Sequence, residues 1–391
     1  MRLVGPFTRR LIPGAGRRET IPIRRVRSVS ASLAGAQVLH LGGGEQIACP
    51  GAQLLPMSDQ AIEVGLGYPS LALPPAQMFV LENARVCPGS RVVMTRDGRV
   101  ISESITRDMV GVIDLNGNEV HSEPVRMEGS IALYQSPRPE PFHGLIDHLP
   151  RAALFAQPLT RRLGKVTLVH EGPLTDIDEL WLDRLSGPAV EVLRVEAGIP
   201  FTADRVFLPS YVTRPQSGAV PSWYRNWIDR SASALPAVPP NAYGTRRYFV
   251  DRLGGGRTVA NRAELDEVLE RHGIAAVSPS ALDAEERIAT FRDAELVIGV
   301  TGSGMSNLLF SQSAQVIELL PGARLFPHCY YLTRAKGLGY QYVKAPGDGR
   351  VISEVERLNE PVLVDVEALD QLIATMVQDG DLPPGETPIV A

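Results

Sequence analysis

Apolar residues recur along this chain at two spacings. Between Met78 and Leu133 they come in short clusters, Phe79-Val80-Leu81, Arg91-Val92-Val93-Met94 and Arg99-Val100-Ile101, broken by turn residues such as Asp97-Gly98. This pattern predicts short antiparallel strands. From Phe142 the spacing turns helical, with Leu145, Leu149, Ala152, Ala153 and Ala156 on one stripe and Pro150 set to bend or interrupt it. Strands are expected at Lys165–His170 and Val206–Pro209, and a helix carrying Trp223 and Trp227 before an Ala/Ser/Pro-rich linker at 231–240.

The last third alternates most clearly. Strands are expected at 246–251, 274–277, 296–300 and 316–320. Between them lie a helix opened by Asn261 with Glu264 in capping-box spacing, a second from about Ser280 burying Ile288, Phe291 and Ala294, and a short one over Met305–Phe310. Such alternation requires crossover connections and a parallel sheet covered by helices, a Rossmann-like α/β unit. A final helix follows, with Leu369, Leu372, Ile373 and Met376 on one face. The expected division is 1–77 as a poorly defined basic segment, 78–133 as a small β-rich unit, 134–240 as an α/β domain with linker, 241–345 as a second α/β domain and 346–391 as a helix packing back.

Composition changes the picture little: 391 residues, 44% hydrophobic and 21% charged, suit a folded multidomain protein. A net charge of −5 gives no reason to expect nucleic acid as a partner. Residues 1–27, however, hold eight arginines and one acid. That start reads as a solvated tail, a targeting segment or a patch for anionic headgroups. No apolar run approaches membrane-spanning length, so the expected location is cytoplasmic, with peripheral contact to the inner membrane face through the basic start. Cys49, Cys87 and Cys329 lie far apart without zinc-type spacing and read as single buried thiols.

Three stretches carry candidate chemistry. Gly299-Val300-Thr301-Gly302-Ser303-Gly304-Met305-Ser306-Asn307 follows a buried strand and opens a helix, where small residues and unpaired N–H groups can take a phosphate. The order G-x-x-G-x-G is not the dinucleotide fingerprint, and a tight turn without ligand reads equally well. Arg252 and Arg257 flank Gly254-Gly255-Gly256, with Arg246 and Arg247 upstream. Guanidinium groups suit a diphosphate, although a solvated basic loop fits the same residues. His143 and Asp147, four apart at a helix start, could face one cleft as a base, or serve structure alone.

Together these residues resemble glycosyltransferase family 61, of the capsular-polysaccharide-biosynthesis type. The resemblance rests on Arg252, Arg257, Asn261 and Glu264, then Ala294, Val297-Ile298-Gly299, Gly302, Gly304, Asn307, Phe310 and Val316-Ile317-Glu318-Leu319. Upstream it rests on Phe142-His143-Gly144-Leu145, Leu149-Pro150-Arg151 and the β-rich run Met78 to Glu103. Three positions depart from the family pattern: Thr301 replaces a histidine, Arg287 a glutamine and Gly144 a tryptophan. The resemblance implies an α/β fold of two Rossmann-like domains of GT-B type with a β-rich N-terminal unit, and inversion at the anomeric carbon without metal or cofactor. Its substrates would be a nucleotide sugar, a UDP-sugar being expected, and a glycan acceptor in surface or lipopolysaccharide synthesis. On this basis Arg252, Arg257, Asn261, Thr301, Gly302, Ser303, Gly304, Asn307 and Glu318 are assigned to the donor, and His143 or Asp147 to the base. Three other readings stand beside it: a metal-dependent transferase using Asp176-Ile177-Asp178, a non-catalytic nucleotide- or glycan-binding subunit, and a dinucleotide oxidoreductase.

Overall fold

The computed structural model describes residues 18–22, 27–51, 69–105, 112–135, 141–158, 160–196, 198–213, 218–235, 243–252, 257–321, 327–345 and 361–382. The basic residues 1–17 and 23–26, Gly254-Gly255-Gly256 and the linker stretch 236–242 lie outside them.

Two central sheets organise a mixed α/β fold. The first comprises β1 (Gln37–Gly42), β2 (Ala76–Glu82), β3 (Ser130–Leu133), β4 (Val166–Glu171), β5 (Val190–Val195) and β6 (Arg205–Pro209), in the order β5-β4-β3-β6-β2-β1. Strands β5, β4, β3 and β6 run parallel, while β2 pairs antiparallel with both β6 and β1. The second sheet comprises β7 (Arg247–Val250), β8 (Ala275–Val277), β9 (Leu296–Val300), β10 (Gln315–Leu320) and β11 (Gly339–Lys344), all parallel, in the order β8-β7-β9-β10-β11. In each sheet the winding direction reverses at one place, between β3 and β6 and between β7 and β9. The carboxyl ends of strands at such a reversal diverge and leave a crevice where ligands sit.

Antiparallel strands do gather between Ala76 and Leu133, but they do not stand apart as one unit. Strand β2 joins the first sheet, whereas Arg85–Cys87, Val92–Met94 and Val100–Ile101 belong to a small sheet covering one of its faces. There Phe79, Leu81, Ile131, Val169 and Val206 meet Val86, Val93, Ile101 and Phe201. Alternation at period two makes this possible, because each central strand is apolar on both sides.

The other face is covered by helices. Helix α2 is built from three contiguous pieces, Pro141–His143, Gly144–His148 and Leu149–Ala153, and follows the short α1 (Gly117–His121) in the chain. Pro150 does not break it. The Leu149 N–H bonds back to the Gly144 carbonyl, so the turn before the proline widens into a π-type turn and the helix continues. Helices α3 (Asp176–Leu185) and α4 (Ser222–Ser233) lie beside it.

On the second sheet, α5 (Arg262–Arg271) and α8 (Val366–Gln378) cover one face, with Leu265, Leu269, Leu369 and Ile373 against Phe249, Ile298 and Ile317. The opposite face shares a core with the first unit. Leu145, Leu149, Trp181, Tyr224 and Ile228 meet Val250, Val297, Ile288 of α6 (Ala284–Arg292), Phe310 and Leu332 of α7 (His328–Lys336). Trp181 is fully buried there, its ring 5.9 Å from Phe310 and 5.4 Å from Trp227. An antiparallel pair of strands, Glu45–Ala48 and Ser70–Leu73, adds Leu71 and Leu73 to Tyr330 and Tyr331 of α7. Among the described residues, no helix is long and apolar enough to cross a membrane.

Candidate active site

At the first reversal, β3 leads towards α2 and β6 leads into residues 210–213. His143 Nδ1 lies 2.6 Å from Asp147 Oδ2 within α2, and the Thr213 hydroxyl donates to Asp147 Oδ1. Asp147 is 1% exposed, whereas the His143 side chain keeps 25% of its surface. Burial alone would raise the Asp147 carboxyl. The hydrogen bond and charge of His143, with the Thr213 hydroxyl and the His148 ring, outweigh it and hold the group at about 2. An ionised carboxylate only accepts, so Nδ1 carries a proton, and in the neutral ring Nε2 is then the basic nitrogen.

At the second reversal, Arg252 and Arg257 after β7 meet the glycine loop after β9. Arg252 lies directly on Gly302, where an added Cβ would come within 3.0 Å of its Nη1. Arg257 donates from Nη1 to the Thr301 carbonyl at 2.7 Å. Two more glycines let the loop sit close: a Cβ on Gly299 would meet Met305 Sδ at 2.5 Å, and one on Gly304 would meet Val250 Cγ1 at 2.9 Å. The expected short helix is a 3-10 helix, Ser303–Phe310. Within it the Ser306 hydroxyl donates to the Ser303 carbonyl, and Asn307 Nδ2 to that of Gly304. Arg252 Nη1 and Asn307 Oδ1 are buried without a hydrogen-bond partner among the described residues. Buried polar groups are nearly always paired, so these two atoms are ones that a polar ligand at the glycine loop could bond.

Glu318, in β10 beneath this loop, is fully buried. Its Oε1 accepts from the Thr301 hydroxyl at 2.8 Å and its Oε2 from the Tyr340 hydroxyl at 2.7 Å. Burial drives its carboxyl up to about 7, against the opposing pull of those two hydroxyls, the Cys329 thiol and the Arg257 charge. Both oxygens are thus engaged inside the protein, and Thr301 is turned inward to one of them.

Other expected residues serve the frame. Asn261 does stand at the start of α5, but its side chain does not cap the helix. Nδ2 donates to Glu264 and to the Val364 carbonyl, and Oδ1 accepts from the Val364 N–H, fastening the chain ahead of α8. Arg247 is buried at the amino end of β7, away from the crevice, and donates to the His272 carbonyl. Asp178 is taken up by the Tyr134 and Thr175 hydroxyls, with Thr175 capping α3, and Asp176 pairs with Arg287 at 2.8 Å.

The start of α2 lies against the second unit. The first turn of α2 packs against Ser303–Phe310, and the Phe142 ring lies 5.6 Å from His328 at the start of α7. Cys329, next in α7, bonds Glu318. Gly218, at φ +108°, is pressed against the His328 backbone. Sequence reasoning missed Thr213, Tyr340 and the role of Cys329. Only Thr213 had a usable signal, its place just past a parallel strand's carboxyl end.

Residues 142–317 match the model of the glycosyltransferase 61 family. The matched stretch begins just before His143 and ends one residue before Glu318, so it spans the dyad, both arginines and the glycine loop. The match indicates a glycosyltransferase, which implies a sugar donor and an acceptor. No curated protein matches the chain.

Proposed function

We propose that this chain moves a sugar from a nucleoside-diphosphate sugar to a hydroxyl of a glycan acceptor, inverting the anomeric carbon without a metal ion. In this reading the two sheets are the Rossmann-like halves of a GT-B enzyme, the donor lies on the second and the acceptor on the first. A UDP-sugar is the expected donor, and surface or capsular polysaccharide the expected product class. The observations that carry the reading are an Arg252 nitrogen beside the glycine loop with no hydrogen-bond partner among the described residues, and a buried-carboxylate–histidine pair on α2, whose first turn packs against Ser303–Phe310.

The acceptor hydroxyl oxygen bonds to the anomeric carbon on the face opposite the diphosphate, and the bond from that carbon to the diphosphate oxygen breaks. The hydroxyl proton passes to His143 Nε2, and the Asp147 carboxylate stabilises the imidazolium so formed. Arg252 and Arg257 take up the charge gathering on the leaving diphosphate, the task a divalent ion performs in metal-dependent transferases.

A thermal-shift screen of UDP, GDP, CMP and NAD tests the donor assignment. One nucleoside diphosphate should raise Tm, the rise should vanish in Arg252→Ala, and EDTA should leave it unchanged. Stabilisation by NAD alone, or by no nucleotide, would contradict the reading.

A further inference from the structure

The loop after β6 does more than close a turn. Its backbone is tied to β2 by the Ser210 N–H to the Gln77 carbonyl at 2.9 Å, and by the Gln77 N–H to the Ser210 hydroxyl at 3.0 Å. Arg151 of α2 donates from Nε to the Pro209 carbonyl at 2.9 Å and lies over the Tyr211 ring, 4.1 Å from its centre. Val212 is buried at 1% exposure and Thr213 at 0%. Thr213 therefore reaches Asp147 from a segment clamped on both sides, across the reversal between β3 and β6.

We infer that Thr213 is a positioning residue for the dyad: its hydroxyl holds Asp147 so that Oδ2 faces His143 Nδ1, and thereby sets which ring nitrogen can accept a proton. A carboxylate with only one fixed oxygen can swing about its last side-chain bond. Fixing the second oxygen removes that freedom and keeps the imidazole in a single tautomer, which a base needs before its substrate arrives. Among the described residues, those facing Asp147 include His143 and His148 on α2, Thr213 on the loop, and Tyr224 on α4, whose own hydroxyl donates to the Leu145 carbonyl. Of these, Thr213 bonds Oδ1 and His143 bonds Oδ2. In this account Arg151 supports the loop that carries Thr213 and does not touch substrate. The inference takes its functional meaning from the transfer reading, but its test needs no substrate.

The test is nitrogen-detected NMR of histidine-labelled protein near pH 7, with the His143 signals assigned by their loss in His143→Gln. Wild type should show His143 as the Nδ1–H tautomer. Thr213→Val should turn that into a mixture of tautomers, and Thr213→Ser, which keeps the hydroxyl, should restore it. If the valine variant does not fold, Thr213→Ala removes the same hydroxyl with less bulk and is compared with serine in the same way. An unchanged single tautomer in Thr213→Val or Thr213→Ala would overturn the inference while leaving the dyad standing. A wild-type ring without the Nδ1–H tautomer would remove the dyad, and the base assignment with it.

Discussion

Glu318→Gln is the sharpest probe of the second sheet and its glycine loop. In the folded chain the Glu318 carboxyl is driven from an ordinary value of 4.5 up to about 7, chiefly by burial. A carboxyl raised on folding favours the folded state while protonated, so its contribution is complete below 4.5 and is lost as pH rises through 7. At about 1.4 kcal/mol per unit, the loss across that window is about 3 kcal/mol. Glutamine stays neutral at every pH and keeps an oxygen for one of the two hydroxyls, while its amide N–H groups require Thr301 or Tyr340 to turn round and accept. Urea unfolding of both proteins from pH 4.5 to 8 is the assay. Wild type should lose about 3 kcal/mol relative to the variant over that range. Parallel curves would show that Glu318 is ionised throughout, and the account of a buried, proton-sensitive brace under the glycine loop would be wrong.

Other substitutions probe the frame and the dyad. Gly218→Ala would place a Cβ 2.3 Å from the His328 carbonyl oxygen at a φ of +108°, so it should lower stability by about 1–3 kcal/mol in thermal or urea unfolding. Trp181→Ala opens a cavity in the core that both sheets share and should cost about 3–5 kcal/mol, with the two halves still unfolding in one transition by fluorescence and circular dichroism. Asp147→Asn replaces an acceptor with a group that can donate to His143. It should reduce turnover about 10²- to 10⁴-fold once a donor is in hand, and remove the acid-side stability loss expected as pH falls from about 4 towards 2.

The second sheet was the more legible half. Its strands and helices alternate with clean periods. Gly273 follows the end of α5, and a capping box at Asp283, not singled out in the pattern, opens α6 just past the expected start near Ser280. The first sheet was harder, because β1 to β3 are separated by strands that belong elsewhere, and no local signal tells a strand which sheet it joins. The His143–Asp147 pair could be read from i,i+4 spacing, even though Pro150 recast the helix around it. The inward turn of Thr301 and the engagement of Glu318 could not, since they depend on Tyr340 and Cys329, which approach from a later strand and helix. Asn261 shows the same limit: its spacing to Glu264 fits a capping box, yet Val364, 103 residues on, takes the side chain.

The measurement that bears most directly on the central claim is proton NMR of the anomeric signal in a panel of UDP- and GDP-sugars incubated with the protein, water serving as a slow acceptor. The account predicts consumption of one donor with release of the opposite anomer, at least about 10²-fold slower in His143→Ala. Consumption that retains the anomer, consumption equally fast in His143→Ala, or no donor consumed at all would contradict it.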